Sequence, residues 1–254
     1  MKSVDGELLA DDAVPPLPAD LVAPFETMAA SGSAVPLWPR HLQRLRAAAQ
    51  RLGLPWAPPP RLERAAAELL AANHHHGGVV RLQLVPAAAA VHWQLTTRAR
   101  GTAVAPLRLI PCVARRPAAA PPADLKTAPR NFYDAVLAEA RAGGADDGIV
   151  LGDDGTLLET ANANLWLLLD GAWVTPPLDG RVLPGIAREL LLLAARAAGV
   201  PVAERTCNLA DLHRAPQVAV SNAVHGPRGA LLVGAPPAVP DTVLARLWRS
   251  CMPG

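Results

Sequence analysis

The stretch from residue 147 to residue 177, DGIVLGDDGTLLETANANLWLLLDGAWVTPP, leaves few folds open to this chain. Its apolar runs are short and are punctuated by DDG and DG. Such turn residues reverse a strand onto its neighbour, because aspartate and glycine accept the φ > 0 positions that tight hairpins need. A sheet core is therefore required here. The flanking segments carry a different period. RNFYDAVLAEARAGG puts Phe132, Val136 and Ala140 on one helical face and closes on Gly143 and Gly144, and LPGIARELLLLAARAAGVPV reads as a helix opened by Pro184 and Gly185. QVAVSNAV reads as a further strand and DTVLARLWR as a closing amphipathic helix. The sum is a mixed α/β (α+β) chain.

The first half repeats the alternation. RHLQRLRAAAQRLGLP sets Leu42, Leu45, Ala49 and Leu52 at helical spacing and stops at Gly53 and Pro55; PRLERAAAELLAANHHHGG follows as a second helix. VVRLQLVP and VHWQLTT then alternate apolar with polar as adjacent strands, and LRLIPCV reads as a third. Residues 114–124, ARRPAAAPPAD, are rich in alanine and proline and have no period, so they read as an extended linker. This divides the chain into an N-terminal α/β domain over 1–115 and a C-terminal domain over 122–254, with no internal repeat.

Several functions are disfavoured. Basic residues number 24 and acidic 22, interspersed, and aromatics are 4%, so a nucleic-acid surface is not expected. The longest apolar run, ELLLLAARAAGV, is interrupted by charge and too short for a membrane span, and MKSVDGELLADD has no apolar signal core; a cytoplasmic location is expected. Cys112, Cys207 and Cys251 lack the spacing of metal or redox pairs and read as free thiols. His74, His75 and His76 are adjacent, point in different directions and cannot converge on one ion, so no metal is expected.

One residue type is used oddly. Apart from Lys2, the only lysine is Lys126; arginine supplies every other cationic side chain. Arginine matches lysine in pairing and anion binding but cannot give up its proton to become an amine nucleophile, and lysine can. Around it the motifs FETMAASG, RHLQRLRAAAQRLGL, LKTAPRNFYDAVLAEARAGGADDGIVLGDDGTLLETANANLWLL, PPLDGRVLPGIAREL and VSNAVHG occur in one order. In these the chain resembles the fold-type IV pyridoxal-phosphate enzymes over roughly residues 25–230. That group holds branched-chain and D-amino-acid aminotransferases and 4-amino-4-deoxychorismate lyase. Arg130, four residues after Lys126, and the SNAVHG loop resemble the lyase branch, whereas the aminotransferases carry a GTAAEVTP-like loop.

The resemblance implies two α/β domains with the cofactor in the cleft between them, and a homodimer. It implies pyridoxal 5'-phosphate on Lys126, with Glu159 against the pyridine nitrogen; outside that motif Glu159 would read as a surface residue at a strand end. It implies a phosphate cup from Arg44, from the backbone of Gly185 and Ile186 at a helix start, and from Ser221 and Asn222. Arg44 shares its helix with Arg40, Arg46 and Arg51, which read as solvated charges. A dicarboxylate substrate requires further cations, for which Arg130, His225 and Arg228 are the candidates; Arg188 reads as a partner of Glu159 or a neighbouring carboxylate. The implied activity is aminodeoxychorismate lyase, giving 4-aminobenzoate and pyruvate for folate synthesis. A class IV aminotransferase and an inactive relative are the alternatives. The chain departs from the family at AVPPLPADLVAPFETM, which is shortened and has Pro24 where glycine is expected.

Overall fold

In the computed structural model the described residues are 1–88, 90–102, 106–116, 123–234 and 243–252. They form two compact units, Met1–Thr102 with Leu125–Pro129, and Ala103–Asp124 with Arg130–Met252. Two sequence boundaries shift. The run LRLIPCV, placed by its position in the first half, belongs to the second unit, and Lys126 falls within the first rather than with the C-terminal half. The expected linker lies mostly at 117–122, outside the described residues; its first three residues are strand.

The first unit is an antiparallel sheet carrying two helices. Strands β1 (Lys2–Val4), β2 (Glu7–Leu9), β3 (Ala23–Ala29), β4 (Val79–Pro86) and β5 (Val91–Arg98) are joined by β7 (Thr127–Ala128) in the order β2-β1-β5-β4-β3-β7. Helix α1 (Trp38–Arg51) starts at Trp38–Pro39, where proline is tolerated because first-turn amides have no helical partner. Its buried face, Trp38, Leu45 and Ala49, packs with Leu69 and Leu70 of α2 (Leu62–Ala72) on Leu82, Leu84 and Leu95 of the sheet. His74 takes a left-handed conformation, and Nδ1 of His75 and of His76 meet Thr97 and Ser33 respectively. The histidine triplet thus ends α2, its side chains turned to separate partners.

The second unit is built on an eight-stranded sheet in the order β12-β11-β10-β13-β14-β6-β8-β9. Its strands are β6 (Leu107–Arg116), β8 (Asp147–Gly152), β9 (Leu157–Thr160), β10 (Asn164–Leu169), β11 (Ala172–Thr175), β12 (Val202–Glu204), β13 (Gln217–Asn222) and β14 (Gly226–Leu232). Both aspartate-glycine turns make hairpins. Asp170 and Gly171 have φ of 52° and 80°, the pairing that lets β11 return directly along β10. Helices α3 (Asn131–Ala142), α4 (Ile186–Ala197), α5 (Leu209–Arg214) and α6 (Val243–Cys251) cover the sheet. Leu165, Leu167, Val218, Val220 and Ala230 pack on one face, while Trp166 and Ala219 meet α4 and α6 on the other. The three cysteines are free, and no helix among the described residues is long and apolar enough to cross a membrane.

Candidate active site

In the first unit, β7 brings Lys126 beside β3. The Phe25 N–H donates to the Lys126 carbonyl at 2.9 Å, and Ala23 and Pro24 pair with Ala128 and Thr127. Lys126 Nζ stands 4.7 Å from the centroid of the Phe25 ring. The Arg81 guanidinium lies 3.6 Å from the same centroid, with Nε and Nη2 both donating to Gln83 Oε1. A lysine and an arginine side chain therefore approach one aromatic ring.

The next residue of β3, Glu26, is 1% exposed. Arg44 grips it with both prongs, Nε to Oε1 at 2.7 Å and Nη2 to Oε2 at 2.6 Å. His41, one helical turn before Arg44, donates from Nδ1 to Oε2 at 2.7 Å. Burial alone would raise the Glu26 pKa, but the charge and hydrogen bonds of Arg44, with those of His41, overcome it and hold it down at about 2. Burial pushes the His41 pKa below its ordinary value, with Glu26 opposing and Arg44 and Lys126 adding repulsion. Glu26 is thus an anion inside the unit, and Arg44 is oriented by it. Neither Glu26 nor His41 stood out in the sequence, where FETM and HLQRL gave no sign that the carboxylate and imidazole meet.

In the second unit the focus is Glu159, 5% exposed. Tyr133 of α3 donates its hydroxyl to Oε1 at 2.7 Å, and the Leu183 N–H donates to Oε2 at 3.2 Å. Asn164 Nδ2 lies 3.5 Å from Oε2 and donates to the Leu183 carbonyl at 2.9 Å. All these donors point at the carboxylate, as an ionised acceptor requires. Asn164 also accounts for Gly185: a Cβ there would lie 1.9 Å from Asn164 Oδ1. The glycine thus admits a neighbouring side chain. Gly185 is the N-cap of α4 and no side chain among the described residues caps it, so the first-turn amides from Ile186 onward remain an anion-favouring group.

The remaining candidates separate. Ser221 is 1% exposed and its Oγ accepts from Trp166 Nε1 at 2.9 Å, which leaves its O–H to donate. Asn222 Oδ1 accepts the N–H groups of Val224 and His225, and its Nδ2 donates to the Asn162 carbonyl. That side chain shapes the β13–β14 turn carrying His225. Arg130 donates to the Ala161 carbonyl at 2.7 Å and lies 5.1 Å from the Tyr133 ring, one side chain away from Glu159. Arg228 does not join this group. It pairs with Val220 on β14, two residues before Ala230, and both of those pack on the sheet face opposite the one Ser221 shares with Ala219. Its Nε is buried with no partner among the described residues, and burial lowers its pKa while Asp147 and Asp146 oppose the shift. Arg188 pairs with a carboxylate, as the sequence reading allows: it donates to Glu204 and to the Pro176 carbonyl.

Over 93 residues, 36% of this chain and 30% of the other, the chain is 34% identical to a branched-chain-amino-acid aminotransferase of Escherichia coli K12, so the matched stretch spans under a third of that relative. The structure is similar to that of a 4-amino-4-deoxychorismate lyase from Pseudomonas aeruginosa, with a TM-score of 0.81 and 25% identity over 98% of this chain and 97% of that one. A hypothetical aminotransferase from Mycobacterium tuberculosis in its PLP-bound form gives a TM-score of 0.83, 22% identity, and coverage of 99% and 98%. The family model for amino-transferase class IV matches residues 23–231, most of the length, and the chain belongs to that family.

Proposed function

We propose that this protein is a pyridoxal-phosphate-dependent 4-amino-4-deoxychorismate lyase, acting as a homodimer. The donor set suits the cofactor: one amine at Lys126, a buried carboxylate at Glu159, an uncapped helix start at Ile186 and an oriented guanidinium at Arg44. Bound pyridoxal phosphate supplies an aldehyde that links to an amine and a ring that withdraws electrons from it. Glu159 faces the ring nitrogen in this reading, while Arg44, the Ile186 amide and the Ser221 hydroxyl hold the phosphate.

Lys126 takes the proton from the amine-bearing ring carbon of the substrate. The C–H electron pair becomes the new ring π bond as the C–O bond on the adjacent carbon breaks. The departing enolpyruvyl group takes up one proton at its methylene carbon and leaves as pyruvate. The other product is 4-aminobenzoate; atoms balance with no oxidant and no second substrate. Arg130 is the side chain we assign to a carboxylate of the substrate.

The observation that carries the lyase reading is Arg130, fourth after Lys126, braced against Tyr133 and the Ala161 carbonyl next to Glu159. The purified protein with cofactor is expected to convert many equivalents of aminodeoxychorismate to 4-aminobenzoate and pyruvate with no keto acid present. The similarity to branched-chain aminotransferases supports the second reading, a class IV aminotransferase. Turnover that stops after one equivalent and resumes on adding 2-oxoglutarate would establish that reading instead.

A further inference from the structure

Arg116, the last residue of β6, lies in the stretch whose composition suggests a linker, yet it is only 8% exposed. Its guanidinium is held against two aromatic rings, 5.6 Å from the Phe132 centroid and 5.5 Å from that of Tyr133, which meet edge to face. Nη1 donates to the Tyr133 hydroxyl at 3.3 Å, and that hydroxyl donates to Glu159 Oε1 at 2.7 Å. The result is a directed chain from a cation, through a phenol, to a carboxylate.

We infer that Tyr133, polarised by Arg116, is a positioning residue that orients Glu159 and lowers its basicity. The inference rests on the reading in which Glu159 faces the cofactor ring nitrogen. A phenol that both accepts from a guanidinium and donates to a carboxylate is a stronger donor than an isolated one, because each bond polarises the next. Burial pushes the Tyr133 pKa up and the Glu159 charge pushes it further, with Arg116 and Arg130 opposing, so the hydroxyl keeps its proton. Tyr133 is then a permanent donor; a proton on Glu159 Oε1 displaces that bond, and one on Oε2 weakens it and displaces the Leu183 N–H and Asn164 donors. The charged groups around the phenol are Arg116 from β6, Arg130 before α3 and Glu159 from β9; β10 and residue 183 add amides to the carboxylate. This arrangement leaves an anion available to the ring N–H at pH values where an unsupported buried carboxyl would begin to protonate.

The test is cofactor affinity against pH, read by absorbance titration of the apoprotein between pH 5 and 8, with the melting temperature of each apoprotein as control. In Tyr133→Phe the acid limb of binding should move upward by roughly 0.5 to 1 pH unit, the effect of removing one neutral donor from a carboxylate. Arg116→Gln should move it in the same direction by less, and Arg116→Lys should restore part of the shift; this pair serves if Tyr133→Phe does not fold. In a Glu159→Gln background neither change should move the limb. An unmoved limb in Tyr133→Phe, or a shift that persists without Glu159, overturns the inference, as does a loss of affinity equal at every pH, which marks a merely structural role. If Glu159→Gln alone leaves affinity and limb unchanged, the placement of Glu159 at the cofactor has failed as well. If Glu159→Gln alters binding and Tyr133→Phe does not, only the positioning role has failed.

Discussion

Each unit buries one glutamate beside an arginine, and the two are held in opposite ways. Glu26 is gripped directly by both prongs of Arg44 and by His41. Glu159 receives a phenol and amides, with its arginine one side chain behind, on Tyr133. A carboxylate paired directly with a guanidinium has its charge largely compensated, and what it contributes is the orientation of its partner. One held by neutral donors keeps more of its field for a cation arriving later. In the proposed reading Glu26 holds Arg44, and Glu159 meets the cofactor.

Exchanging each carboxylate for its amide should separate the two roles. Glu26→Gln leaves Arg44 without its anion in a buried place, and breaking such a pair costs about 3 to 5 kcal/mol of folding stability. Glu159→Gln should lower turnover by roughly 10²- to 10³-fold, as expected for loss of one preorganised electrostatic partner, with stability changed by about 1 kcal/mol or less. Denaturant melts and steady-state rates on both variants measure this. If the effects are reversed, with Glu26→Gln inactive but stable, the comparison is broken.

Acid should act on the first unit before the second. The Glu26 pKa is depressed from its ordinary 4.5 to about 2, so its stabilisation is complete above pH 4.5 and is lost as pH falls towards 2; the size is on the order of 3 kcal/mol. His41 acts in the same direction and earlier. Its pKa is lowered by burial from an ordinary 6.5, so the unfolded chain takes up a proton that the folded one resists, and stability begins to fall as pH drops through 6.5. Thermal melts should therefore decline in two stages. His41→Asn should remove the upper stage and keep the lower.

The sequence made some of this legible and hid the rest for identifiable reasons. The hairpins at DDG and DG and the helices around Leu45, Val136 and Leu191 are local patterns, and they formed as the periods predict. The run LRLIPCV reads as strand and the three residues after it as linker, but its neighbours β14 and β8 pair with β6 in parallel across long separations, which no local period encodes. That is why it was assigned to the wrong half. Two-residue β7 is too short to carry any period, so the attachment of Lys126 to the first unit was invisible. Lys126 stood out as the one lysine besides Lys2, and Glu159 and Arg44 only through the resemblance to the fold-type IV enzymes. His41 and Arg116 did not, since a histidine on an amphipathic helix and an arginine beside prolines read as ordinary until tertiary contacts bring them to Glu26 and Tyr133.

The smallest expected effect sharpens the comparison from outside it. Arg228 and Arg130 look alike in the sequence as cations for a dicarboxylate, but Arg228 lies on the other face of its sheet from Ser221, and its buried Nε has no partner among the described residues. A guanidinium in that position carries a desolvation cost that its contacts do not fully repay. Asp147, whose charge most opposes the lowering of the Arg228 pKa, has hydrogen bonds of its own from Thr160, the Gly148 N–H and Asn162. Arg228→Met keeps the side-chain bulk and removes the charge, so stability should change by about 1 kcal/mol or less, and kcat and KM should stay within roughly twofold. Arg130→Met removes a charge-assisted contact from the assigned substrate side and should raise KM about 10- to 100-fold while kcat falls less. Steady-state kinetics on the two variants decide it. A KM increase in Arg228→Met matching that in Arg130→Met would mean that the substrate reaches the Arg228 face, and the division of cations drawn from β14 would have to be redrawn.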